Sequence, residues 1–280
     1  LDPNPGYGTH ITGSTTGADG FDATINGQPS LMLFYVEDDP STTSVNEYQD
    51  WIFHDNTNNT SLEVGKAYNL YIRGSRAVDL SQYSENQVAL ETVLRATGSL
   101  ATGTVDLSSQ LATGVDEFSF IGNPYQAIVD MRNVTNSDLR DNFYVWDTQA
   151  ATGNGRYKTI SFSSPSPEEP LPFLQPGQSF LVQNSNGATS PTLVFNEASK
   201  NTAGDVSTNL VGVFSENTIA FANLELYRDN VKADVLKLKF EAGADNANTD
   251  FDAAKLANPS ENLGSILGDN IMAVEKRDIP

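Results

Sequence analysis

The chain has 280 residues, enough for one large domain or for two to three small domains with cores of their own. Its 36 acidic and 16 basic residues give a formal net charge of −20, which excludes the basic footprint that nucleic acids and anionic membranes require. The chain has no cysteine, which also excludes disulfides, thiolate nucleophiles and cysteine-ligated zinc. No apolar run approaches the ~18 residues of a membrane-spanning helix, so we expect no membrane insertion.

The first hundred residues predict short strands separated by turns. Residues 1–30 are rich in Gly, Thr and Pro, which favour turns and short edge strands over helix. Leu31–Val36 is a continuous apolar run that predicts a buried strand, and Trp51–Phe53 predicts a second strand. Apolar and polar residues alternate in Gly65–Arg73, as they do in a strand with one buried face.

The middle of the chain is organised around the motif Phe118–Tyr125. Its Gly122-Asn123-Pro124 sequence favours a corner, because glycine adopts positive φ and proline fixes its own φ, so we interpret it as a connection between two strands. Phe143–Asp147 and Pro176–Val182 predict further strands, and the proline-rich Ser164–Pro176 predicts an extended surface loop.

Two motifs recur at similar spacing along the chain. Leu62–Ile72 resembles Leu174–Val182 and places Gly65 against Gly177, while Phe34–Glu37 upstream resembles Tyr144–Asp147. Chance similarity would not keep the spacing, so the pattern indicates a duplicated β domain.

The last third predicts a β-hairpin from Asn223–Arg228 and Val235–Phe240 around the connection 229–234. In this hairpin, Glu225, Lys237 and Lys239 are expected on the face opposite the leucines, where they could pair across the two strands.

Two shorter segments follow the hairpin. Phe251–Leu256 predicts one helical turn capped by Thr249 or Asp250. Ile271–Glu275 predicts a final strand whose partners we expect in a continuation of the chain.

Together these elements predict an all-β fold of tandem β-sandwich-like domains with antiparallel sheets and little helix. We expect a β-sandwich-like domain in residues 1–115 and a second β domain, a candidate duplicate of the first, in 116–205. Residues 206–280 are expected to begin a third, truncated β domain.

The residues offer little support for catalysis. The histidines are His10 and His54, and the chain has no Gly-x-Ser-x-Gly elbow for a nucleophile. The acid pairs 38–39 and 168–169 are adjacent in turns beside prolines, whereas glycoside hydrolysis needs two acids held apart in a cleft. We therefore predict that the protein is not an enzyme.

The segment 245–252 is the candidate metal site, because its side-chain oxygens alternate and Ca²⁺ accepts about six to eight oxygen ligands. It lacks the central glycine and the final glutamate of an EF-hand loop, so an Asx-rich turn is the competing interpretation. Calcium is thus the one cofactor considered, with the candidate ligands Asp245, Asn246, Asn248, Asp250 and Asp252.

Several aromatic residues are candidates for stacking on sugars, since an aromatic ring has an apolar face and a polar rim. Most of them lie in strand-like runs, so packing in the core is the alternative. A stacking platform requires coplanar rings that face solvent, and the candidates for it are Trp51, Tyr71, Trp146 and Tyr157.

A set of motifs in fixed order covers nearly the whole chain: Gly20–Thr24, Gly65–Tyr68, Leu94–Gly98, Phe118–Tyr125, Tyr144–Asp147, Pro176–Phe180 and Phe251–Leu256. This order resembles the C-terminal β-rich region of large Bacteroidetes proteins that are exported by the type IX secretion system. That family includes gliding-motility proteins and cell-surface adhesins.

The resemblance implies an extracellular protein, secreted or displayed on the bacterial surface, that acts as a non-catalytic stalk or display module and as a secretion substrate. It implies type IX translocon components as partners, through a sorting domain beyond this chain. The alternative is a carbohydrate-binding accessory region of a secreted polysaccharide-degrading enzyme, with surface glycans as ligands.

Overall fold

The computed structural model describes residues 31–37, 48–53, 61–70, 98–147, 155–163, 172–201, 220–241, 244–258 and 261–278. Within these residues strands dominate, and the helical elements are 3₁₀ turns of three residues each. The prediction of an all-β fold is therefore confirmed. Two compact units divide the chain, residues 1–100 and 101–280.

The first unit contains the strands β1 (Leu31–Glu37), β2 (Tyr48–Phe53) and β3 (Tyr68–Leu70). They form an antiparallel sheet in the order β2-β1-β3. A turn precedes β3, in which Gly65 has a φ of 81° and the Lys66 N–H donates to the carbonyl of Glu63. Only glycine adopts this φ without steric cost, which explains its place in the motif.

The second unit is built around one central sheet. In chain order, its described strands are β4 (Val105–Asp106), β5 (Phe118–Gly122), β6 (Val129–Asp130), β7 (Thr135–Ser137), β8 (Leu139–Asp147), β9 (Arg156–Ser161), β10 (Phe173–Leu174), β11 (Ser179–Asn184), β12 (Thr192–Phe195), β13 (Ala220–Arg228), β14 (Val231–Phe240), β15 (Ala253–Ala254), β16 (Ser265–Leu267) and β17 (Asn270–Arg277). The central sheet has the order β5-β11-β8-β9 and is antiparallel throughout.

Both faces of the central sheet are covered. One face shares the larger core cluster with the sheet β4-β12-β7, which contributes Leu193 and Phe195. The other face shares a smaller cluster with Ala253 of β15 and Val274 of β17. The second unit is thus a stack of three β layers.

Burial on both faces explains the continuous apolar run in β8. Successive side chains of a strand point to opposite faces, so Phe143 and Val145 enter the larger cluster while Tyr144 enters the smaller one. A strand covered on one side only would instead alternate with polar residues, as predicted for Gly65–Arg73.

The third layer has the order β13-β14-β17-β15, with β16 paired to β17. Strands β14 and β17 run parallel, with Lys237 opposite Val274, whereas the other described pairs are antiparallel. Residues 220–241 and 244–278 therefore belong to the same compact unit as the central sheet. The boundaries at 115/116 and 205/206 stay predictions.

The Gly122-Asn123-Pro124 corner joins β5 to β6, as its interpretation as a strand connection requires. The Asn123 amide donates to the carbonyl of Ala127 at 3.0 Å, and its oxygen accepts the Tyr125 N–H at 3.0 Å. Tyr125 is fully buried, and its hydroxyl donates to the carbonyl of Gly103 at 2.5 Å. The motif is therefore a structural corner, held by its own side chains.

The internal repeat reappears as a repeated turn. The second turn has Gly177 with a φ of 74°, and the Gln178 N–H donates to the carbonyl of Gln175, as Lys66 donates to Glu63 in the first. The first turn leads into β3, which pairs antiparallel with β1. The second turn leads into β11, which pairs antiparallel with β8.

The strand registers follow the same offset. Leu31 pairs with Leu70 in the first unit, and Phe143 pairs with Val182 in the second. The order β2-β1-β3 corresponds to β9-β8-β11, and the duplication itself stays a prediction. This register aligns Phe34 with Trp146, two residues beyond Tyr144.

The hairpin of β13 and β14 confirms the prediction for this segment, but its turn is shorter. Asp229 and Asn230 have φ values of 50° and 64°, the signature of a two-residue type I′ turn. Glu225 lies opposite Val235 in the strand register, so alternation places it on the same face as Lys237 and Lys239, and it forms an ion pair with Lys232.

The helical turn predicted for Phe251–Leu256 is wrong, since Ala253 and Ala254 form β15. Asp252 is completely buried before this strand, where its carboxylate accepts the N–H groups of Thr249 and Lys276 at 2.7 Å each. The expectation that β17 has its partners in a continuation is also wrong, because β14, β15 and β16 pair with it. These contacts outweigh local helix propensity.

Candidate functional site

Several residues singled out in the sequence lie outside the described residues. These are His10, His54, Tyr71 and the acid pairs 38–39 and 168–169. Trp51 lies in β2, opposite Phe34 of β1 in the strand register.

The remaining aromatic candidates, Trp146 and Tyr157, are brought together. They are register partners on β8 and β9, with ring centroids 4.8 Å apart and an angle of 71° between the ring planes. Trp146 is 37% exposed, whereas Tyr157 packs against the smaller core cluster, and burial raises the pKa of its hydroxyl. The rings are nearly perpendicular, so this pair does not form one flat platform, and Trp146 is its solvent-facing member.

Gly155 fixes the position of the indole. A Cβ atom on Gly155 would lie 2.3 Å from Cζ2 and 2.5 Å from Cε2 of Trp146, so the ring occupies the space above the glycine backbone. Gly155 also has a φ of 76°, which disfavours other residues there. Gly155 directly precedes β9, and an aromatic ring over a glycine at the edge of a sheet is a recurrent device. It leaves the indole pre-ordered on the sheet surface.

An asparagine completes this end of the sheet. Asn258 is only 6% exposed, and its Oδ1 accepts the backbone N–H of Tyr157 at 3.2 Å. Its Nδ2 is buried and has no hydrogen-bond partner among the described residues. The Oδ1 of Asn262 accepts the backbone N–H of Asn258 at 2.7 Å and so helps to position Asn258. A free donor therefore lies beside Tyr157.

The candidate calcium ligands are spread over a hydrogen-bond network. Oxygens of Asp245, Asn246 and Asp250 accept the N–H groups of Ala247, Asp278 and Asn186, respectively. Asn248 accepts from the Arg140 guanidinium at 3.2 Å, and Asp252 is bonded as described above. Each of the five side chains thus has an oxygen that accepts a hydrogen bond from the protein. In the described part of the chain, no group of three or more His, Asp or Glu side chains could hold a metal. Calcium binding stays a prediction.

Arg140 is the centre of this network. Its side chain is 4% exposed, and its Nη2 lies 2.6 Å from Oδ1 of Asp116. Nη1 donates to the carbonyl of Thr249 at 2.6 Å. Because Arg140 is on β8 and Thr249 precedes β15, the guanidinium joins the central sheet to the third layer.

A second buried ion pair lies within the third layer. Nζ of Lys255 is 2.7 Å from Oδ2 of Asp234, and both side chains are buried. Asp234 also accepts the N–H groups of Val235 and Leu263, so both of its carboxylate oxygens have hydrogen-bond donors from the protein. The pair connects β14 to the segment after β15.

Sequence reasoning did not find Arg140, Lys255, Gly155 or Asn258. For Arg140 a signal was present, because period-2 alternation places it on the same face of β8 as Tyr144. The partners of Lys255 and Asn258 are distant in sequence, so no local pattern indicated them.

Comparisons with known proteins add no further assignment: no family model matches the chain, and no curated protein or solved structure shows significant similarity to it. Within the described residues, no helix is long and apolar enough to cross a membrane.

Proposed function

We propose that this chain is a non-catalytic stalk or display module of an extracellular bacterial surface protein of the adhesin or gliding-motility kind. The observation that carries the proposal is the use of buried charge in the second unit. Arg140 joins the central sheet to the third layer, and Lys255 with Asp234 joins β14 to the segment after β15 within that layer. Buried charge thus links the third layer to the central sheet and braces the third layer itself.

Such cross-links suit a module that transmits load. Asp116 and Thr249 are far apart in sequence, yet the single guanidinium of Arg140 binds both. The smaller core cluster joins the same layers through Tyr144, Leu181 and Val274. Pulling the third layer away must therefore break the bond between the Arg140 guanidinium and the Thr249 carbonyl and expose apolar surface together, which favours cooperative resistance to force.

Export rests on a different support, the ordered motifs from Gly20–Thr24 to Phe251–Leu256 that resemble type IX secretion substrates. This is a likeness of sequence only. Display on the cell surface through a sorting domain, with translocon components as partners, is accordingly the part of the proposal that needs a test in cells.

The test replaces the module in the protein that carries it, in a type IX-competent host. One strain lacks residues 1–280, and a second carries an unrelated β module of equal length in their place. A stalk role predicts that the deletion lowers adhesion or gliding and that the replacement restores it, with surface exposure checked by protease accessibility. Full function of the deletion strain would refute the stalk, and failure of the exposed replacement would show that this chain's own surface is required.

A further inference from the structure

We propose that the exposed face of Trp146 is a stacking subsite for an uncharged sugar ring of a glycan. This goes beyond the stalk role, because it gives the chain a ligand of its own.

The first support is the rigidity of the ring. The indole is held over Gly155 and against Tyr157, and it is still 37% exposed. A pre-ordered aromatic ring loses little conformational freedom on binding, so its contact area converts efficiently into affinity. A flat indole surface complements the C–H face of a pyranose.

The second support is the free hydrogen-bond donor beside the pair. Nδ2 of Asn258 has no partner among the described residues, although its Oδ1 is bound to the Tyr157 backbone. Buried polar groups normally have partners, and because Nδ2 is itself buried, it can serve a ligand hydroxyl only through a bridging water.

Charge selects among the ligands that stack on an indole. Nucleic acids and uronic or sulfated glycans carry negative charge, and the chain has a formal net charge of −20. At long range this charge repels such polyanions, which favours uncharged sugars as the ligand class, although Arg156 and Lys158 lie near Trp146 on β9.

The strand register adds an independent observation. The offset that relates β1 to β8 and β2 to β9 places Phe34 and Trp51 where the second unit has Trp146 and Tyr157. Two aromatic residues thus occupy the corresponding register positions of β1 and β2 in the first unit.

Trp51 and Trp146 are the two tryptophans of the chain, so Trp51→Phe leaves Trp146 as the sole fluorescent indole. This full-length variant is titrated with uncharged hexasaccharides of glucose, mannose, xylose and galactose, with hyaluronan and with a proline-rich peptide. We expect a saturable change of Trp146 emission with at least one uncharged oligosaccharide.

Affinity electrophoresis in gels that contain the matching polysaccharide then compares variants with intact Trp51. Trp146→Ala is expected to weaken retention by at least about fivefold, and Trp146→Phe, which keeps a ring, by less. Tyr227→Ala, at an exposed ring on β13, is the matched control and should bind like the parent. Circular dichroism verifies that each variant is folded.

The proposal is overturned if no uncharged oligosaccharide changes Trp146 emission at millimolar concentration. It is equally overturned if Trp146→Ala and Tyr227→Ala are retained alike, or if only hyaluronan or the peptide binds. Because these assays use purified protein, their failure is distinguishable from failure of the stalk role in cells.

Discussion

Replacing Arg140 by methionine tests whether one buried guanidinium holds the third layer on the central sheet. The substitution removes the 2.6 Å contact with Asp116 and the 2.6 Å bond to the Thr249 carbonyl. Breaking a buried ion pair costs about 3–5 kcal/mol, but Asp116 is 45% exposed and regains water, so the lower end of that range applies. We expect a loss of about 3 kcal/mol.

Urea denaturation of the Trp51→Phe background measures this loss, because the remaining Trp146 lies in the second unit. With a slope of about 2 kcal/mol per molar urea, the midpoint should fall by roughly 1.5 M. Arg228→Met is the matched control, since Arg228 is 63% exposed, pairs with Glu261 at the surface and should cost about 0–1 kcal/mol. Equal midpoints for the two variants would refute the assigned role of Arg140.

Three further predictions concern the second unit. Lys255→Met should lower the free energy of unfolding by about 3–5 kcal/mol, because it leaves the Asp234 carboxylate buried without its cation. In a double-mutant cycle, adding Asp234→Asn should recover part of this loss. Gly155→Ala should cost more than Gly177→Ala and alter Trp146 emission, since both glycines have positive φ but only Gly155 lies under the indole; equal urea midpoints would contradict this. Burial raises the pKa of Tyr144, so the contribution of Tyr144 to the free energy of unfolding is complete below about pH 10 and is lost as the pH rises further. Urea titrations at several alkaline pH values should therefore show a smaller loss of stability with pH for Tyr144→Phe than for the parent. An equal dependence on pH in the two proteins would contradict this.

Local patterns predicted the elements that depend on neighbours in sequence. The alternation of β13 and β14 is visible in the chain, because each residue reports its own face. The corner at Gly122–Tyr125 was predictable for a similar reason, since Pro124 fixes its own φ and disfavours a helical conformation of Asn123.

Interactions between distant segments explain what the sequence did not predict. Phe251–Leu256 contains good helix formers, but the burial of Asp252 and the pairing of β15 with β17 select a strand. In the sequence, Arg140 cannot be told from any other polar residue of a strand. Its role depends on contacts with Asp116 and Thr249, which the fold brings next to its guanidinium. Asn258 is likewise identified only by its bond to Tyr157.

The role as a load-bearing module is tested most directly by pulling the full chain between its ends in single-molecule force spectroscopy. If the three layers are cross-linked as described, residues 101–280 should unfold in one step. The contour length should then increase by about 650 Å, less the span of the folded unit. Arg140→Met should lower the force of this step. Release of residues 220–278 in a separate step at lower force, while the central sheet stays folded, would contradict the account.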